Sequence, residues 1–204
     1  MAWTRYALVF LCCAPLPAMA ADPWCSVRGK PALTFAWQPA NQAEPSVGRV
    51  LVRDAAGKTV QVLDKLENYG GSSDSLRTEA DFNNDGCRDL VVTNSVAGIG
   101  NETISVFLYQ PGKRRFVLNE ALSEIGGLEL ASDDRNCVTG SWKGGAMDMY
   151  TSRQCWVKGR LVMKSEYQVS ARYKEDGEVQ CYEHVETEYR GGRKHTKTSC
   201  TQEF

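Results

Sequence analysis

The sequence predicts an all-β fold, an antiparallel sandwich or propeller-like meander with a calcium-binding loop between two strands, and three observations carry that expectation. Strand signals recur at short intervals, separated by glycine-bearing turns, and no long amphipathic helical pattern occurs. Serial hairpins of this kind favour antiparallel pairing, because parallel strands need long crossovers. The third observation is the stretch 81–90, where side-chain spacing alone specifies a metal chemistry.

Taken in order, residues 1–20 carry a positive Arg5, an apolar stretch over 7–15 and a small-residue site at Ala18-Met19-Ala20, the pattern of a secretory signal peptide. The apolar stretch is too short for a membrane span and is followed closely by Pro17, and nothing later approaches the roughly 18 apolar residues a span needs. Cys12 and Cys13 precede the cleavage site, so neither sits where a lipid anchor is attached. The expected mature chain, 21–204, is a single domain. Removing one arginine and no acid takes the net charge from −1 to −2, which argues against nucleic acid as partner.

Residues 32–37 are apolar and aromatic, and 49–53 and 59–63 form a hairpin across the turn 54–58. A polar, glycine-rich link over 68–75 leads to 76–82. Strands are then expected at 90–94, 102–109, 115–118 and 128–131, with a turn at Pro111-Gly112-Lys113 and a short helix within 119–125. The last third alternates most clearly, over 136–142, 149–157, 161–171, 178–187 and 195–202, each one arm of a meander.

In the run from Asp81 to Leu90, the side-chain oxygens of Asp81, Asn83 and Asp85 stand at positions 1, 3 and 5 of a calcium loop. Gly86 at position 6 permits the sharp turn, the carbonyl of Cys87 adds an oxygen at position 7, and Asp89 at position 9 closes the cage. An EF-hand requires a bidentate glutamate at position 12. Val92 stands there, inside a strand-like run, so the motif is strand, loop, strand. Asp, Asn and Gly also favour turns that bind nothing. Four carboxylate or amide ligands at these offsets exceed what a turn requires, and the expected role of the calcium is structural.

Two of the eight cysteines fall in the leader, leaving Cys25, Cys87, Cys137, Cys155, Cys181 and Cys200, an even number that in an exported chain reads as disulfides. Six cysteines allow fifteen pairings. Cys137 and Cys155 flank Lys143-Gly144-Gly145, and Cys181 and Cys200 flank Gly191-Gly192, each about a plausible hairpin turn; Cys25 and Cys87 remain. No C-x-x-C spacing outside the leader suggests zinc.

No nucleophile elbow, phosphate-cradling glycine loop or H-E-x-x-H motif occurs, and the two histidines, His184 and His195, sit in polar alternating segments that read as solvated strand faces. The expectation is a non-enzyme. The segment 140–150 is expected to place Gly144, Gly145 and Ala146 at a loop tip beside Trp142, Met147, Met149 and Tyr150. Small residues at a tip enter clefts that bulky ones cannot, and aromatic anchors beside them are what a binding loop offers.

The order of these elements resembles a known family. The residues that carry it are Val50-Leu51-Val52-Arg53-Asp54 with Gly57-Lys58 and Val60-Gln61, the loop 81–90, Phe107-Leu108-Tyr109 before Phe116, and Lys143-Gly144-Gly145-Ala146 to Tyr150 before Trp156 and Leu161. Together they resemble the xanthomonad family of periplasmic immunity proteins that accompany peptidoglycan-cleaving effectors of a bacteria-killing type IV secretion system. The loop itself is similar to the calcium loops of integrin-like and propeller-like repeats. The resemblance, over 50–161, implies a periplasmic, calcium-binding β protein of a Gram-negative bacterium, similar in architecture to periplasmic lysozyme inhibitors. It also implies a protein partner, a peptidoglycan hydrolase effector or lysozyme, whose cleft is filled by Lys143, Gly144, Gly145, Ala146, Asp148 and Tyr150. The chain departs from the pattern in its six cysteines, with Cys155 where an aromatic is expected, and in a charge-rich hairpin at 178–204. The other function consistent with the sequence is a calcium-stabilised envelope adhesion or glycan-binding module.

Overall fold

The computed structural model describes Trp24, Cys25 and residues 33–204. The expected leader, 1–20, lies outside these residues. Three antiparallel sheets follow one another along the chain. The first joins β1 (Leu33–Pro39), β2 (Val47–Asp54) and β3 (Thr59–Glu67). The second joins β4 (Leu76–Arg77), β5 (Leu90–Val96), β6 (Glu102–Gln110) and β7 (Arg115–Leu118). The third joins β8 (Glu129–Leu130), β9 (Cys137–Gly145), β10 (Asp148–Val157), β11 (Arg160–Tyr173), β12 (Val179–Arg190) and β13 (Arg193–Thr201). Each is a meander of consecutive strands, and none closes into a barrel. Among the described residues no helix is long and apolar enough to cross a membrane.

Local chemistry sets the connections. In the β2–β3 turn, Asp54 Oδ1 accepts from the backbone N–H groups of Ala56 and Lys58, both at 2.9 Å, and Gly57 takes φ +81°. The one-turn helix α1 (Glu120–Ser123) starts where the Asn119 side chain accepts from Leu122 N at 2.9 Å. It goes no further because Gly126 and Gly127 follow, the latter at φ +55°. A Cβ on Gly140 of β9 would lie 2.4 Å from Ile125 Cγ2, so the helix packs against β9 only where that side chain is absent. The expected strand 76–82 is shorter than foreseen: only Leu76 and Arg77 pair, and the chain then opens into the loop.

Burial explains the stacking. The middle sheet is covered on both sides, and its β5 begins with three consecutive buried residues, Leu90, Val91 and Val92. Leu90, Val92, Phe107, Tyr109 and Phe116 pack against Trp37, Val50, Val52 and Leu63 of the first sheet. On the opposite side Val91, Ile104 and Val106 meet Leu122 and Ile125 at α1 and Val138 of the third sheet. Trp24 closes the first interface. Its ring lies edge-on to Phe35 and Phe116, its Nε1–H donates to Arg88 O at 2.6 Å, and the Arg88 guanidinium sits 4.4 Å over its face.

The cysteines are joined as Cys25–Cys87, Cys137–Cys155 and Cys181–Cys200. The first clips the segment bearing Trp24 to the loop 81–89 across 62 residues of chain; the others staple neighbouring strands.

Phe116 contacts Trp24, Phe35 and Tyr109 and is almost wholly buried. Phe116→Ala is expected to cost about 3–5 kcal/mol of unfolding free energy, the usual range for emptying a large aromatic site. Urea denaturation checks this; a midpoint unchanged from the parent protein contradicts the packing described.

Candidate functional site

Two features answer to the residues singled out in the sequence, and they lie at opposite ends of the β9–β10 hairpin. The first is the loop before β5. Asp81 accepts from the backbone N–H of Asp85 at 3.1 Å and of Gly86 at 2.9 Å. Asp85 accepts from Cys87 N at 2.9 Å and from Asn83 Nδ2 at 3.0 Å. The chain folds around these carboxylates through left-handed residues, Asn84 at φ +53° and Gly86 at φ +85°. Asp89 is fully buried, with its two oxygens accepting from Phe82 N at 2.8 Å and Tyr109 N at 3.0 Å, so it ties the loop to β6.

This loop is electrostatically unbalanced. Burial pushes the Asp89 carboxyl up to about 7, against the pull of those two N–H donors, and the charges of Asp81 and Asp85 push the same way. Burial also raises Asp81. Asn83 Oδ1 is buried with no hydrogen-bond donor, although its amide is otherwise engaged. A hard cation supplies what such an arrangement lacks, and the oxygen donors of Asp81, Asn83, Asp85, Asp89 and the Cys87 carbonyl are of the type calcium takes. The carboxylates alone do not converge: among the described residues no three His, Cys, Asp or Glu side chains gather as a metal cluster.

The loop also braces the third sheet. Trp156 Nε1 of β10 donates to Phe82 O at 2.6 Å, and Asn84 Nδ2 donates to Asn136 Oδ1, just before β9, at 3.1 Å. These contacts hold the base of the hairpin, where Cys137 pairs with Cys155.

At the other end is the segment expected as a loop, 143–150. It is mostly strand: β9 continues through Lys143, Gly144 and Gly145, β10 begins at Asp148, and only Ala146 and Met147 lie between. The register slips by one residue there, Asp148 facing Gly145 and Met149 facing Lys143, which bulges Gly144. A Cβ on Gly144 would fall 2.4 Å from Asp148 Oδ2, whereas one on Gly145 meets nothing within 4 Å. Asn101, buried, clamps the strand from the side, donating to Lys143 O at 2.7 Å and accepting from Lys143 N at 3.0 Å.

Tyr150 does not stand free beside the tip. Its hydroxyl donates to Glu166 Oε1 at 2.7 Å, and Tyr189 donates to the other oxygen. The two phenols hold the Glu166 carboxyl below its ordinary range, and burial with the adjacent Glu166 pushes the Tyr150 phenol up to about 12. Around the tip stand exposed Ile99, Trp142, Met147, Tyr173 and Phe204. Met147 sulfur lies 3.9 Å from Tyr173 Oη and 3.8 Å from Tyr182 Oη, and Tyr182 meets Phe204 edge-on at 5.3 Å. Sequence reasoning placed Trp142 and Met147 beside the tip but missed Asn101, Glu166 and the rim residues Ile99, Tyr173, Tyr182 and Phe204, because nothing local to those residues marks them as neighbours of the hairpin. His184, expected on a solvated face, is half-buried and bonded to Tyr167 and Thr201; His195 is exposed.

The chain matches no protein-family model, and no curated protein matches it. It is similar in structure to a solved protein from Xanthomonas described as a type IV secretion system related protein, with TM-score 0.53 and 18% sequence identity over 74% of this chain and 78% of that one. At that identity the likeness shows the fold.

The Asp89 carboxyl binds its proton more tightly folded, near 7, than at the ordinary value of 3.8. Between those values the folded state holds a proton that the unfolded state has released, so this group's contribution to stability falls as pH rises through the window. With chelator present, the melting temperature is expected to be lower at pH 8 than at pH 5. A rise over that interval contradicts the assignment.

Proposed function

We propose that this protein is an exported, calcium-binding inhibitor or immunity protein that blocks a peptidoglycan-cleaving, lysozyme-like hydrolase by occluding its cleft. The observation that carries the reading is the β9–β10 tip, where small residues are ringed by exposed Ile99, Trp142, Met147, Tyr173 and Phe204. Apolar and aromatic side chains gathered about a narrow tip are the composition of an interface centre. The fold-level likeness to a secretion-system related protein supports the same reading. So do the three disulfides, which suit an oxidising compartment such as the periplasm.

In this mechanism the inhibitor contributes shape and hydrogen bonds. Gly145 and Ala146 enter the hydrolase groove, and exposed Lys143 faces its catalytic acids. Asp148 and Tyr150 stiffen the tip, Tyr150 through Glu166. Calcium, held by Asp81, Asn83, Asp85, Asp89 and the Cys87 carbonyl, neutralises the crowded carboxylates and fixes the base from which the hairpin projects. A hairpin rigid before binding loses less entropy on association.

Calcium is expected to raise the melting temperature, by about 2.7 kcal/mol of stability when its concentration is about a hundred times Kd. Asp85→Ala should abolish the calcium-dependent part. Identical melting curves in calcium and in chelator contradict the metal.

Gly145→Trp is expected to abolish inhibition of the target hydrolase with the melting temperature nearly unchanged, since the added side chain has open space in the free protein. Tyr150→Ala, which removes the bond to Glu166, should weaken binding through loss of this bracing. Full inhibition by Gly145→Trp removes the tip from the interface.

A further inference from the structure

The third sheet has a second face that the inhibitor reading does not use. Residues opposite one another on paired strands share a face. On the face away from the middle sheet, one row runs Ser141, Thr151, Tyr167, Glu186, Lys197, and the next runs Glu129, Thr139, Arg153, Ser165, Glu188, His195. The two rows line a trough of about 720 Å3. Solvent-facing strand positions ordinarily carry long side chains. Here Thr139, Ser141, Thr151 and Ser165 are short, which leaves the volume open around Arg153 and Tyr167.

We propose that this trough binds a neutral oligosaccharide chain. No aliphatic or sulfur-bearing side chain lines it, so its apolar surface comes from threonine methyls, the stems of long side chains and one tyrosine ring, each set beside a polar group. Its charges leave an acidic excess: Glu186 faces Lys197 and Arg153 is bonded to Asp133 at 2.8 Å, while Glu129 and Glu188 face no lysine or arginine across the strands. A polyanion is therefore repelled. What remains is a wall of hydroxyls that both donate and accept, with threonine methyls between them. The trough also holds one aromatic ring, Tyr167, whose hydroxyl is fixed by His184 Nδ1 at 2.6 Å. The opposite nitrogen of His184 is held by Thr201 Oγ1 at 2.8 Å and the Glu203 carbonyl at 3.0 Å. A ring immobilised at its tip is a ready stacking surface for the C–H face of a sugar, and a few placed polar groups in a concave site fix its orientation.

The site is independent of the hairpin tip, and the test separates them. The mature, disulfide-intact protein is titrated calorimetrically with a β-1,4-linked N-acetylglucosamine tetramer, a galacturonate tetramer and a glucosamine tetramer. Saturable binding of the neutral tetramer is expected, weakened about tenfold or more by Tyr167→Ala and by Ser165→Trp and unchanged by Gly145→Trp. Should Tyr167→Ala lower the melting temperature, Ser165→Trp carries the test, since it fills the trough without removing a hydrogen bond. Absence of binding, binding of a charged tetramer alone, or indifference to Ser165→Trp overturns the proposal.

Discussion

Leu90, Val91 and Val92 follow one another in β5 with almost no surface exposed, so the sheet to which they belong has no solvent face. That is the constraint on which the rest depends. A strand apolar at successive positions must be covered on both sides. The first sheet covers one side and the third covers the other, with α1 filling the gap beside β6. Because the cover on each side is a meander, the chain passes from one layer to the next without crossing itself.

The same constraint creates the loop. The chain must travel from the short β4 into the buried start of β5, and it brings Asp89 with it into the core beside Leu90. A carboxylate there is tolerated because Phe82 and Tyr109 donate to it, and those bonds join loop to β6. Cys25–Cys87, Trp24 on Arg88, and Trp156 on Phe82 then converge on the same ten residues from the first and third layers. The loop is thus the junction of the layers, and this is why a cation there would act on the whole molecule.

Outward from that junction the third sheet becomes progressively less buried. Val138 belongs to the core, β10 is half-buried, and every residue of β13 is exposed. Strands that long and that polar are held by their neighbours and by staples such as Cys181–Cys200. Two surfaces of the sheet are left for separate tasks: the hairpin tip ringed by apolar and aromatic residues, and the hydroxyl-lined trough on the outward face.

By itself the sequence determined the all-β class, the antiparallel order of its hairpins, the place of the short helix α1 and the oxygen-rich loop 81–89, because period-two alternation and turn chemistry act between residues close in the chain. The tip was legible as small residues beside aromatics, yet its form was not. The bulge at Gly144, the Asn101 clamp across 42 residues and the Tyr150–Glu166–Tyr189 bridge depend on strand register. Only the tertiary structure decided that three sheets stack about a doubly buried middle one, that Asp89 lies in the core, and that Tyr167 lines a trough. Such contacts are made between residues far apart in sequence. A pattern of apolar and polar positions says that a face is buried or exposed, and the packing of the whole chain says against what.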